Sequence, residues 1–161
     1  MEPLLTTAAT WLDAVGVGPW ARGSAMVYPV ANTLHLLGLV MLVGGIGIVD
    51  LRVVGLWRTL PIAALSRALT PIAMGGLLVM AASGTILFAA DGDALAGSQT
   101  FARKLIVIAL ALANAAAFRL LWRTKWDDWR SAAPGAARAM AALSLALWLT
   151  AGALGRWIAY S

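Results

Sequence analysis

The stretch YPVANTLHLLGLVMLVGGIGIVDLRVVG, residues 28–55, holds the only histidine of the chain, His35. From Tyr28 to Val49 no Asp, Glu, Lys or Arg interrupts it. A helix of about 20 apolar residues crosses the roughly 30 Å hydrocarbon layer at about 1.5 Å per residue. The stretch therefore reads as a membrane-spanning helix with an imidazole inside it, and the fold depends on whether the rest of the chain repeats the pattern.

It does. Working outward, long apolar blocks cover residues 25–56, 68–90, 101–121 and 136–159. Pro71 is expected in the first turn of the second block, where its missing N–H costs little. Pro134 and Gly135 open the last block. Of 161 residues, 61% are hydrophobic and 12% charged, and the mean hydropathy is +0.85. An ordinary soluble domain is about half apolar and a quarter charged. The expected fold is all-α: a polytopic membrane protein with a four-transmembrane-helix bundle over residues 25–161. Residues 1–24 form a separate N-terminal segment. Its apolar run, 4–16, is too short to span and is expected to be an interfacial helix ended by Gly16, Gly18 and Pro19. With two acids and one arginine before residue 25, no cleavable signal peptide is expected.

The chain has no cysteine, which excludes disulfides, thiolate metal sites and covalent c-type haem attachment. One histidine rules out multi-histidine zinc or di-iron sets within one chain. The net charge of +5 is scattered among apolar blocks, so it reads as a topology signal and not as a nucleic-acid surface. Arg52, Arg58 and Arg67 flank one link; Arg119, Arg123, Lys125, Arg130 and Arg138 flank another. The opposite ends hold Arg22, Arg103, Lys104 and Arg156 beside Asp91 and Asp93. The positive-inside rule puts the two arginine-rich links in the cytoplasm of a bacterial inner membrane and both termini in the periplasm or outside. Trp57, Trp122, Trp126 and Trp129 mark one interface and Trp11, Trp20 and Trp157 the other; Trp148 falls inside the last span, in lipid contact or bundle packing. The TKWDDWR link, residues 124–130, reads as an interface anchor, with partner docking as its alternative. No Walker A motif is present, and GGIG inside a span favours packing over phosphate binding.

His35 lies about 12 Å inside the first span. Tyr28, Asn32, His35, Leu39 and Leu42 share one helical stripe, and three polar side chains there imply that it faces protein or a cofactor. Three readings stay open: a structural histidine bonded to Asn32, a carbonyl or a hydroxyl; an axial ligand of haem b, since neutral imidazole ligates iron well in low dielectric; and proton transfer or another metal. Met80 falls about 13 Å deep in the second span, a candidate second axial ligand or core filler. Ser83, Gly84 and Thr85 would line the rim of the same pocket. Arg103 and Lys104 are placed either for haem propionates or for anchoring in the headgroups. Asn114 is expected in an interhelical hydrogen bond and Asp50 in an ion pair with Arg52, Arg67 or Arg119, with a proton or ion relay as its alternative.

Three stretches, TLHLLGLVMLVGGIGIVDLRVVG, LSRALTPIAMGGLLVMAASGTILF and FARKLIVIALALANAAAFRLLW, together resemble small bacterial four-helix membrane proteins. These are distantly similar to the copper resistance D-like proteins and to the haem-binding, oxygen-independent protoporphyrinogen oxidase family. The resemblance covers residues 28–122. It implies that His35 ligates haem b, that Lys104 is the essential lysine heading the third span, and that Arg67 and Pro71 match the opening of the second. The chain departs from the oxidase pattern at the exit of the first span, with Asp50, Leu51 and Arg52 where aromatic residues are expected. The leading expectation is a haem b-binding protein of electron transfer, or an accessory redox subunit, acting as a homodimer or within a larger membrane redox complex. Its alternatives are a haem-dependent porphyrinogen or quinone oxidoreductase, a cofactor-free structural subunit and, last, copper transport, for which the six methionines form no close motif.

Overall fold

The computed structural model describes residues 1–122, 129 and 133–160. The described residues are all helical or loop, in the order α1 (Glu2–Ala14), α2 (Val17–Gly23), α3 (Val27–Val54), α4 (Ile62–Ala90), α5 (Gly92–Gly97), α6 (Gln99–Trp122) and α7 (Gly135–Trp157), closed by a 3₁₀ turn, Ile158–Tyr160. Helices α3, α4, α6 and α7 are long and apolar enough to cross a membrane. The chain has two ends: a cap end, where α1, α2 and α5 lie, and a hairpin end, where α3 turns into α4.

Local chemistry sets the boundaries. Gly16 has φ +85° and, with Val15, separates α1 from α2; it ends α1 as expected, whereas Gly18 and Pro19 lie inside α2. Gly55, at φ +130°, ends α3, and its N–H bonds the Leu51 carbonyl. Pro61 precedes the first residue of α4, six residues before the expected start, which leaves Pro71 inside that helix and not in its first turn. The Pro71 ring removes one backbone bond, a cost met by packing on both sides of it. Ser98 accepts the Phe101 N–H at 3.2 Å and so starts α6.

Small residues set the packing. A Cβ on Gly38 would lie 2.8 Å from the Gly76 carbonyl oxygen, and one on Gly76 would lie 2.6 Å from that of Gly38. The backbones of α3 and α4 therefore touch. A Cβ on Gly45 would meet the Leu69 carbonyl at 3.0 Å. Helix α7 packs on α3 and on α6, and Asn114 of α6 donates to the Met140 carbonyl of α7 at 3.0 Å, the interhelical bond expected of it. The α4–α6 seam is sparse; there Phe88 and Phe101 stack at 5.5 Å.

Leu42, Ala73, Ala111 and Trp148 form the central core, so Trp148 is a packing residue. Trp129 is also buried, among Val53, Ile62, Ala137 and Ala141 and edge-on to Phe118 and Trp122, whereas Trp11, Trp20, Trp57 and Trp157 are exposed. Trp126 and most of the 124–130 link lie outside the described residues. Outward-facing apolar side chains include Val40, Leu78 and Leu120, which are 69%, 68% and 77% exposed.

The cap is held by polar contacts. Arg22 bonds Asp13 at 2.8 Å and the Ala89 carbonyl, at the end of α4, at 3.0 Å. Ala9 of α1 sits on Gly92 of α5, where a Cβ would approach it to 2.8 Å.

Candidate functional site

The buried seam of α3 runs through Ala31, His35, Gly38, Leu42, Gly45, Val49 and Val53. These positions are spaced by four or three residues, the spacing of a helix that keeps one face on its neighbours. His35 is the polar member of this seam, and it is half-buried.

Helix α4 determines how the ring is held. His35 Nδ1 lies 3.0 Å from Ser83 Oγ. Ser83 is buried, and its hydroxyl donates to the Val79 carbonyl at 2.6 Å. A hydroxyl has one proton. With that proton on Val79, Ser83 Oγ accepts from His35, so Nδ1 carries the ring proton. The Met80 carbonyl is a further acceptor facing the ring. Nε2 is then the bare nitrogen, and no described residue bonds it. A ligand histidine is commonly held this way, with one nitrogen donating to a protein oxygen and the other free to coordinate. Gly84 makes room for the ring: a Cβ there would lie 3.1 Å from Cε1.

The other two long helices contribute Lys104 and Gly155. Lys104, on α6, reaches α7, where a Cβ on Gly155 would lie 3.2 Å from Nζ. Its charge acts on the His35 ring, yet among the described residues it has no carboxylate and no hydrogen-bond partner. A half-buried ammonium without an anion is costly in apolar surroundings. One turn further along α3 and α7, an apolar groove of about 490 Å³ opens between Leu39, Val43, Trp148 and Gly152.

The remaining sequence candidates are dispersed. Met80 packs on Gly38 and on the central core. Arg103 is exposed and reaches Gln99 at 3.5 Å. Tyr28 is 43% exposed and faces Asp91, and Asn32 is exposed. The structure thus joins His35, Ser83, Gly84 and Lys104, and leaves Tyr28, Asn32 and Arg103 outside that group. Among the small residues of the α3 seam, Gly38 and Gly45 are legible in the sequence as glycines that permit close helix approach, whereas Ala31 was missed; its spacing of seven from Gly38 was the available signal.

Asp50 differs from expectation. It is buried, faces Ser144, and its Oδ2 has no hydrogen-bond partner. Arg52 does not pair with it; its guanidinium bonds the carbonyls of Leu60 and Arg58 at 2.8 and 2.9 Å. Among the described residues no group of three or more His, Cys, Asp or Glu is placed to share a metal ion.

Compared with known proteins, the chain matches no family model, no curated protein and no solved structure. The resemblance carried by the three quoted stretches therefore stands on those residues alone.

Proposed function

We propose that the chain is an integral membrane protein that binds one haem b through His35 and works in electron transfer, alone or as an accessory redox subunit. The observation that carries this reading is the imidazole clamped at Nδ1 by Ser83 with Nε2 left bare. A single axial nitrogen suffices for haem, so the lack of a three-residue metal cluster does not oppose it. Lys104 supports the same reading, as an ammonium with no carboxylate partner among the described residues, on the His35 side of the bundle and suited to a propionate.

The four long helices lie across a bacterial cytoplasmic membrane. Their hairpin end is cytoplasmic and their cap end, with both termini, periplasmic or extracellular. The arginine distribution and the exposed apolar belt favour that placement.

Haem would supply a reversible one-electron iron couple. Within the chain, His35 Nε2 provides the ligand lone pair, Ser83 fixes ring and tautomer, Gly84 admits the ring edge, and Lys104 orients a carboxylate. The apolar helices keep water from the site. An oxidoreductase acting on a porphyrinogen or quinone is the second reading, favoured by Lys104 as a carboxylate anchor; its mark is turnover lost in Lys104→Ala while haem stays bound.

The test is the optical spectrum of purified protein, oxidised and dithionite-reduced, beside His35→Ala. A Soret band with reduced α and β bands, absent from the variant, is expected. A colourless wild type from haem-replete cells, still colourless after haem is added, overturns haem binding and leaves a cofactor-free structural subunit.

A further inference from the structure

The hairpin end gathers three arginines around the 55–60 turn, and they are used differently. Arg52 is 3% exposed and spends its guanidinium on the carbonyls of Leu60 and Arg58. Arg58 and Arg138 are exposed. Each uses only Nε on the main chain, Arg58 to the Gly55 carbonyl at 3.2 Å and Arg138 to that of Val54 at 2.8 Å. These two carbonyls end α3, where the helix dipole favours cations. Capping accounts for the Nε contacts and leaves the terminal nitrogens over.

Those nitrogens converge. Arg58 Nη2 and Arg138 Nη2 lie 3.4 and 3.8 Å from the point a Cβ would occupy on Gly55. Among the described residues neither guanidinium meets a carboxylate. Two fixed like charges flanking one small space repel unless an anion lies between them, and guanidinium groups held at Nε are pre-organised to grip a phosphate. The surroundings indicate which phosphate. Leu56, Trp57 and Leu60, on the same turn, expose apolar side chains, the pairing of cation and apolar surface found at the headgroup level of a bilayer.

We propose that Arg58 and Arg138 form a binding site for the phosphate of an anionic phospholipid. The proposal rests on the placement of the four helices in a membrane, but not on haem.

Native mass spectrometry of the full chain, titrated in detergent with phosphatidylglycerol or phosphatidylcholine, tests it. One retained phosphatidylglycerol is expected on the wild type, in preference to phosphatidylcholine. R58Q/R138Q is expected to weaken that retention roughly tenfold or more, as loss of charge-assisted bonds implies. R67Q/R119Q removes the same charge from exposed arginines near the same end of the bundle and is expected to keep the lipid. Should the glutamine pair fail to fold, R138K keeps the charge but loses the fork, and it too is expected to lose the preference. Equal loss in R67Q/R119Q, or no preference in the wild type, overturns the site. Displacement by an equal concentration of inorganic phosphate makes it a free-anion site and overturns the lipid. A tenfold gain in D127N/D128N means that the chain's own carboxylates fill the pair, and it also overturns the proposal. Alkaline extraction of wild type from membranes reads the other premise separately: release refutes the membrane placement, while retention without lipid preference refutes only this site.

Discussion

Ser83 decides what His35 can do. Its hydroxyl is committed to Val79, so it can only accept from the ring. Ser83→Ala removes that acceptor, and about 0.5–1.5 kcal/mol of stability is expected to go with it. If His35 is the haem ligand, the looser ring is expected to cost roughly 10–100-fold in haem affinity. Thermal melts read the first effect and a haem titration the second. Gly84→Ala works from the other side, because its methyl would press on Cε1; it is expected to disturb the site while leaving helix content by circular dichroism intact. At this scale the sequence was partly informative. Counting placed Met80 at the depth of His35 and Ser83 and Gly84 one turn nearer the surface, at the rim of its pocket, whereas the structure sets Ser83 and Gly84 against the ring itself. Asn32 could not be excluded by counting, because spacing defines a stripe while neighbouring helices define what is covered. The covered residue one turn before His35 is Ala31, not Asn32.

At the scale of the helices, close contact is concentrated at a few glycines. Gly38→Ala would drive a methyl into the Gly76 carbonyl and Met80, and a loss of about 1–3 kcal/mol is expected from overpacking. Gly44, on the same helix, has open space beside it. Gly44→Ala is expected to be neutral, or to gain up to about 1 kcal/mol from helix propensity. Denaturation of the two variants side by side separates a packing glycine from a spare one, a distinction the sequence does not carry. Helix length and apolar run were legible because each long helix is apolar nearly all round. The start of α4 was not. Two prolines ten residues apart both fit a first turn, and tertiary packing allows the helix to run through Pro71.

For the whole molecule, the orientation of the bundle is open to direct labelling, since the chain has no cysteine of its own. Gly97→Cys at the cap end and Leu60→Cys at the hairpin end sit on exposed positions. A membrane-impermeant maleimide applied to intact spheroplasts is expected to label the first and spare the second; the reverse pattern would invert the topology. The four-helix count was readable from composition and block length. The short helices α2 and α5 were not, because each is defined by what it packs against and not by its own periodicity.

The cap also fixes an order of events during biosynthesis. Helix α1 leaves the ribosome before the helices it packs on, but the surface under Ala9 belongs to Gly92, and Arg22 caps a carbonyl at Ala89. Chains emerge from the N-terminus onward, so α1 and α2 reach their larger docking surfaces, on α5 and α4, only after two long helices have been made and the chain has turned back. Helix α1 waits with its face toward α5 uncovered, and its docking there marks the completion of the first helical hairpin.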